Sequence, residues 1–412
     1  MITSKRPTLE SLMRSLNSER WPERWNDIYD SVMDDYEKNG LKLLNPNYYD
    51  ELAEKYNMIP EYREDYKRVA SEVAKDDALS RLLAMMAASM RDRANIKADI
   101  KQLELPKSPD GSYVEKYDML PALVMCETAD YTYSLIKDRN LPEEHFVYAM
   151  RRCDGNAMVA GYARRNEGRL GAINWDWFQL GVDAKLFKTK LLVLELGKKF
   201  TKRATVFENK SGELVTIAHD AVFHRDGYIL GTKNYEDSEG SFELVLEETD
   251  DAWIGCPYNE RGLATKEKTI LSKSEWKKVL SPDDPVVSLH IPSGERLTDQ
   301  IITESFAEAR EFLAKYFPEQ EYKAFVCTSW LLDPQIADLL GPDGNIAKFG
   351  KRFNRITHKD SGNSVFSFVF LQNDVNNVNL EKLSENTSLE RALKKHYLEG
   401  NRIYNTFGYI LK

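Results

Sequence analysis

The chain has 412 residues, enough for two domains of ordinary size, each with its own core. Hydrophobic residues make up 42% and charged residues 30%, the balance of a folded globular protein and not of a disordered or low-complexity chain. The net charge of −9 repels phosphate backbones and argues against nucleic acid as a partner, while still allowing one small basic pocket.

Four cysteines, Cys126, Cys153, Cys256 and Cys327, show no CxxC spacing. They read as reduced thiols of a cytoplasmic protein, with neither a zinc site nor a disulfide framework. Residues 1–10 are polar, so no signal peptide is expected, and the longest helix-like apolar run, 82–90, is far shorter than the ~20 residues of a membrane span. The expected setting is cytoplasmic, without a membrane or a metal.

In chain order, residues 22–36, 48–56, 61–73, 78–90, 121–137 and 142–153 place apolar side chains three and four apart, the spacing of amphipathic helices. Pro142 followed by Glu143 and Glu144 suits a helix start. Valine and isoleucine are sparse, so residues 1–165 read as an all-helical domain. The character changes near Arg169. Runs 191–196, 204–208, 215–218, 222–224, 228–230 and 242–246 are short and β-prone, with turn residues at 209–212 and 226–227 between them. They predict antiparallel hairpins.

From Pro285 a third pattern begins. Residues 286–291 predict a strand and 292–297 a loop. Thr298 is a helix N-cap with Asp299 in the first turn, and Ile302, Ser305, Phe306, Ala309, Phe312, Leu313 and Tyr316 form one face of the helix. Pro318 ends it and a second strand follows at 322–328. Asp333-Pro334 opens a further helix, stopped by Gly341. The tail predicts a strand at 365–371, a helix at 389–398 and a strand at 402–411. The fold class is α+β: a helical domain over 1–165, then a mixed α/β domain over 166–412 with an antiparallel β-rich first part and a β-α-β core.

A β-α-β crossover of this length makes its two strands parallel, so their C-terminal ends share one edge of the sheet, where open α/β sheets bind ligands. His290, Ser293, Gly294, Arg296, Ser329 and Trp330 are thereby expected around one cleft. Ser293-Gly294 permits close backbone approach, and the amides from Leu297 and Thr298 onward are helix-start donors. Arg296 adds a forked cation, so this is the chemistry of a pyrophosphate site, or else of an ordinary helix-entry turn. His290 has the side-chain type of a general base, or is a hydrogen-bonded strand residue. Cys327 reads as a core thiol or as the nucleophile of a thioesterase-like pair with His290. Trp175 and Trp177 alternate with Asp176 along an extended segment, and form either core or the wall of an acceptor or acyl pocket in which Asp176 takes a proton. His219 and His224, five apart, fall on opposite strand faces and do not make a metal pair.

The run SLHIPSG…LT…FAEAREF…YFPE…VCTSWLLDP, together with RLGAINWDWFQ at 169–179 and residues 387–398, resembles a two-domain bacterial family. Its members join an N-acyltransferase N-terminal domain to a GNAT-like C-terminal domain. The resemblance implies acetyl-CoA or another acyl-CoA wedged between two splayed parallel strands. Its pyrophosphate would rest on the loop 292–298 and its pantetheine would run along His290 and Ile291, with the thioester opposite Ser329. A small-molecule or peptide amine is then acylated directly, with no acyl-enzyme, and the helical domain shapes the acceptor side. Two departures stand out. The nearest string to the family's pyrophosphate motif, residues 259–264 (NERGLA), lies elsewhere and lacks its first residue. The helix after Asp333 also has no tyrosine to protonate the leaving thiolate. They keep open an alternative, a non-catalytic GNAT-like module that senses a CoA ester or another small ligand.

Overall fold

The computed structural model describes residues 6–58, 62–150, 178–292, 296–372 and 374–412. The chain divides into two compact units, Met1–Phe187 and Lys188–Lys412.

The described part of the first unit is helical. Its centre is the helix Asp77–Arg91, where Leu79, Leu82, Leu83, Met85, Met86 and Met90 are buried together with Ala84, Ala87, Ser80 and Ser89. Small residues on the remaining faces let neighbouring helices close in around it. Asp76 caps its start by accepting from the Leu79 amide at 3.2 Å. Trp25, fully buried on the helix Trp25–Asn39, donates its indole N–H to Ser89 Oγ at 2.8 Å, so the one polar atom of this large side chain is satisfied inside the core. Among the described residues, no helix is long and apolar enough to cross a membrane.

The second unit is built on β-sheets. Its strands are β1 (Leu186–Lys188, whose last residue opens the unit), β2 (Val193–Lys199), β3 (Ala204–Asn209), β4 (Leu214–Ala218), β5 (Ala221–Phe223), β6 (Phe242–Leu244) and β7 (Glu247–Glu248). They continue with β8 (Ala252–Pro257), β9 (Thr269–Ser272), β10 (Trp276–Leu280), β11 (Pro285–His290), β12 (Ala324–Ser329), β13 (Asn354–Ile356) and β14 (Thr406–Leu411). One sheet has the order β1-β2-β11-β12-β14-β13, and a second the order β10-β3-β4-β8-β7 with β9 on β8. β5 and β6 form a separate hairpin pair. The main core lies between the sheets: Val286, Ala324, Val326, Ile356 and Tyr409 from the first meet Phe200, Ala204, Val206, Ala218 and Leu280. The other face of the first sheet carries the helix Asp299–Tyr316, whose buried Ile302, Phe306, Ala309, Phe312 and Leu313 form the expected stripe. Phe306 meets Phe325 of β12 edge-on at 5.7 Å.

The β-α-β unit forms as the sequence predicts, with β11 and β12 parallel. Thr298 caps the crossover helix by accepting from the Ile301 amide at 3.3 Å. Two expected strands are corrected. Residues 365–371 are not a strand: Ser364–Phe368 is a helix, and Val365, Phe366 and Phe370 pack into a side core with Leu393, Tyr397 and Ile403. A short apolar run has no periodicity that separates strand from buried helix, and here packing decides. Residues 228–230 do not extend a strand either. They form a tight return after Asp226-Gly227, with a single bridge between Phe223 and Ile229. β7 to β10 and the helix Asn345–Lys351 were not expected from the sequence.

Candidate functional site

The parallel register of β11 and β12 runs only from Val286↔Ala324 to Ser288↔Val326. Beyond it each strand follows its outer neighbour. β11 continues against β2 through Leu289↔Leu194 and His290↔Val193. β12 continues against β14 through Cys327↔Gly408, Thr328↔Phe407 and Ser329↔Thr406. The sheet therefore opens between the C-terminal halves of its two parallel strands, and each lip of the opening is held by an antiparallel partner.

His290 stands on one lip. Its Nε2 lies 2.8 Å from Glu195 Oε2, and Lys198 Nζ lies 2.8 Å from Oε1 of the same carboxylate. The Glu195 side chain is only 3% exposed. Burial opposes its ionisation, but the hydrogen bond from His290 and the ammonium of Lys198 outweigh burial and hold the carboxyl below its usual range. A bulge aims it. An unbroken ladder from Val286↔Lys198 puts Leu196 opposite Ser288, but one extra residue in β2, with Gly197 at φ +75°, puts Glu195 there instead. Ser288, Glu195 and His290 then share a face, the face that Val286 presents to the inter-sheet core. With Glu195 ionised and able only to accept, Nε2 donates to the carboxylate. Glu195 is the residue that sequence reasoning missed. Its only local signal is a lone acid in the apolar run LLVLEL, and its partner lies 95 positions away.

The other expected residues fall as follows. Ile291 and Leu297 are half-buried and Arg296 is exposed. Ser293 and Gly294 lie outside the described residues, as do Trp175, Asp176 and Trp177. Thr298 spends its hydroxyl on the helix cap, and in the first turn Arg352 Nη2 reaches Asp299 Oδ1 at 2.5 Å and Thr303 Oγ1 at 2.7 Å. Ser329 ends β12 on the lip opposite His290. The alternation of β12 puts it with Phe325 and Cys327 on the face of the crossover helix, the reverse of His290's face. Its Oγ accepts from the Leu331 amide at 3.2 Å and so caps the short turn Trp330–Leu332. Trp330 is half-buried against the side core.

Cys327 is buried, and burial pushes its thiol up to about 12. A thiol held so high offers almost no thiolate at neutral pH. In the native protein at pH ~8, iodoacetamide is therefore expected to leave Cys327 unlabelled by peptide mass spectrometry, with labelling only after denaturation. Labelling of the native protein would show an accessible thiolate and return the nucleophile reading to play.

Asp333 is buried too, and burial drives its carboxyl up to about 6 against the hydrogen bonds it receives. Its oxygens accept from the Tyr404 amide at 2.7 Å and the Gln335 amide at 2.9 Å. It ties the start of the helix Gln335–Leu340 to the chain entering β14, and that helix contains no tyrosine. Residues 259–264 form a turn that docks on β13, the edge strand beyond β14, through Thr357 N–H to Gly262 O at 2.7 Å. His219 bridges Thr205 and Asp220, and His224 bonds Asp237. Among the described residues no group of three or more metal-ligating side chains is placed to hold an ion.

A sheet that opens between its two central parallel strands, ahead of a capped helix, is the arrangement the sequence resemblance implied. Residues 194–410 match the GNAT-like C-terminal domain, and residues 48–183 match the N-acyltransferase N-terminal domain. The chain belongs to this two-domain acyltransferase family. Solved structures share the fold over nearly the whole length. One is an acyltransferase in complex with decanoyl-CoA and teicoplanin, at 18% identity and TM-score 0.58, covering 98% of each chain. Another is an acyltransferase in complex with CoA and 10C-teicoplanin, at 19% identity and TM-score 0.61, again covering 98% of each chain. A third is an acyltransferase mutant with octanoyl-CoA, at 18% identity and TM-score 0.60, covering 98% of this chain and 99% of that one. No curated protein matches the sequence. β11 and β12 are the parallel pair of this sheet, and Ile291 follows the first of them.

Proposed function

We propose that this GNAT-like protein is an acyl-CoA-dependent N-acyltransferase that moves an acyl group directly to an amine of a small molecule or peptide, within a ternary complex. The observation that carries the reading is the opening between β11 and β12 with the His290–Glu195 pair on its lip. Acyl-CoA as donor is supported by the CoA, octanoyl-CoA and decanoyl-CoA in solved structures of this fold, and a small-molecule or peptide acceptor by the teicoplanin and 10C-teicoplanin that accompany decanoyl-CoA and CoA in two of them.

In this reading the pantetheine arm lies in the opening along His290 and Ile291. The pyrophosphate meets the amides that start the helix Asp299–Tyr316, with Ser293, Gly294, Arg296, Leu297 and Thr298 around it. The amine nitrogen attacks the thioester carbonyl carbon, a C–N bond forms and the C–S bond breaks. His290 Nδ1 takes the proton the amine loses, and Glu195 steadies the imidazolium. CoA leaves as the thiolate and takes a proton from solvent. Ser329 ends the second lip with its hydroxyl turned to the reverse face, and Trp330 follows it on the acyl and acceptor side.

The test begins with ligand-dependent thermal unfolding. A ligand at 100 times its Kd adds about 2.7 kcal/mol, which raises the midpoint by roughly 5–10 °C for a domain of this size. CoA and decanoyl-CoA are expected to give such a rise, NAD and ATP none, and Arg296→Ala is expected to shrink it. No rise with any CoA ester at millimolar concentration would overturn the reading. CoA release is then followed with and without a panel of amines. Release that requires an amine supports the transferase. Binding without release in any mixture favours a CoA-ester sensor, the reading suggested by the helix Gln335–Leu340, which brings no phenol to protonate a leaving thiolate.

A further inference from the structure

The parallel pairing of β11 and β12 ends at Ser288↔Val326, and beyond it both strands keep their pleat against their outer neighbours. Val286 and Ala324 share the face that packs on the second sheet. An even step along each strand puts His290 and Thr328 on that same face, one on each lip of the opening. Paired strands stand ~4.8 Å apart, and these two positions lie where the pairing has ended.

Thr328 is exposed, although the four residues before it in β12 are buried. Among the described residues its hydroxyl has no hydrogen-bond partner. Ser329 differs on both counts: it faces the crossover helix, and its Oγ is taken by the Leu331 amide. Phe407, opposite Thr328 on β14, packs against the inter-sheet core and brings no charge or donor of its own.

We infer, on the acyl-CoA reading above, that Thr328 is a catalytic residue whose hydroxyl donates a hydrogen bond to the sulfur of the departing CoA. A pantetheine arm in the opening has His290 on one side and Thr328 on the other. The amine nitrogen bonds to the carbonyl carbon and gives its proton to His290. The C–S bond breaks and its electron pair stays on sulfur. A donor aimed at that growing charge binds the transition state more tightly than the neutral thioester. A threonine hydroxyl donates without giving up its proton, so solvent still supplies the proton that CoA takes last. The helix Gln335–Leu340 has no phenol for this task, and Thr328 fills the place from the strand before it.

CoA itself tests this without an acceptor. The thiol of bound CoA is titrated by its ultraviolet absorbance, as the difference between complexes with CoA and with desulfo-CoA, in the wild type, Thr328→Val and Thr328→Ser. Valine keeps the branched shape at an exposed strand position, so folding is not at stake. One hydrogen bond to a charged group is worth roughly ten- to a hundred-fold in an equilibrium. Half-ionisation of the thiol is therefore expected at a pH about 1–2 higher in Thr328→Val, with Thr328→Ser close to the wild type. His290, Glu195 and Lys198, the titratable groups of the facing lip, are common to all three proteins and cancel in the comparison. Equal midpoints in the wild type and Thr328→Val, with CoA bound to both, overturn the role of Thr328 and leave the acyl-CoA reading standing. A Thr328→Ser protein that titrates like Thr328→Val overturns it too, because the hydroxyl is then not what matters. CoA that binds none of the three overturns both.

Discussion

His290→Ala is expected to lower the rate of amine-dependent CoA release by about 10²–10⁴-fold, the usual worth of a positioned general base. Glu195→Gln is expected to cost less. A hydrogen bond to a charged group is worth about 1.5–3 kcal/mol, which corresponds to roughly ten- to a hundred-fold in rate. The two variants separate a group that touches the reacting amine from one that works through it. Glutamine fills the volume of Glu195 and can still accept from His290 Nε2, so the ring stays in place while the charge that steadies the imidazolium is gone. Kinetics with saturating acyl-CoA should therefore show kcat falling and the KM for acyl-CoA nearly unchanged. A Glu195→Gln enzyme with wild-type kcat would sink the positioning role. A His290→Ala enzyme with wild-type kcat would remove His290 from the mechanism.

Glu195 also carries a stability signature with a definite sign. Its carboxyl is held below the usual range, so the folded state binds fewer protons than the unfolded chain as pH falls through that range. The stabilisation is complete above the usual glutamate pKa and is lost as pH drops through the lower folded value. Glu195→Gln removes this acid-side dependence and leaves Asp333, which acts in the opposite sense. Asp333 has its carboxyl raised to about 6, so its contribution turns unfavourable as pH rises from the unfolded value toward that figure.

Much of this architecture is written locally. Thr298 and the apolar stripe of the crossover helix are sequence-adjacent features, and they form as the spacing predicts. So does the helix Ser388–Leu398, where Thr387 and Glu390 make a reciprocal capping box. The parallel pairing of β11 and β12 follows from crossover length alone. Residues 365–371 fail for the converse reason. VFSFVFL is an apolar run that suits a buried strand as well as a buried helix, but Asn405 Nδ2 bonds Ser364 Oγ at 2.6 Å at the helix start, and the side core buries three of its apolar side chains. Both constraints come from residues outside any local window, Asn405, Leu393, Tyr397 and Ile403 downstream and Ile336 upstream.

The candidate site divides in the same way. That His290 and Ser329 stand at neighbouring strand ends is legible from topology. That they stand on opposite faces needs only the pleat: Val286 and Ala324 share a face, His290 is an even step from the one, and Ser329 an odd step from the other. The His290–Glu195 pair was out of reach, because it depends on an antiparallel register and on a bulge at Gly197. Nothing in LLVLELGKK says which strand lies beside it.

A large stability effect is expected at Gly262. It sits at φ +79°, and a Cβ there would lie 2.8 Å from Arg355 Cβ, 2.9 Å from Arg355 C and 3.0 Å from the Ile356 nitrogen. Two of those three atoms are backbone of β13 and cannot swing aside. Gly341 is the control: at φ +86° it ends the helix Gln335–Leu340, and its Cβ would meet nothing within 4 Å. Gly341→Ala should therefore cost only the left-handed backbone penalty, about 1–2 kcal/mol. Gly262→Ala adds a close contact worth about 1–3 kcal/mol, for a total of roughly 2–5 kcal/mol. At ~2–4 °C per kcal/mol in a unit of this size, the thermal midpoint should fall by roughly 4–20 °C, clearly more than for Gly341→Ala. The comparison also bears on what residues 259–264 are for. If the turn is a bracket that holds β13, Gly262→Ala will lower the midpoint while the protein, below that midpoint, binds CoA esters as before. If CoA affinity falls in Gly262→Ala with the midpoint unmoved, the turn belongs to the ligand site after all, and the loop between β11 and the crossover helix is not where the pyrophosphate rests.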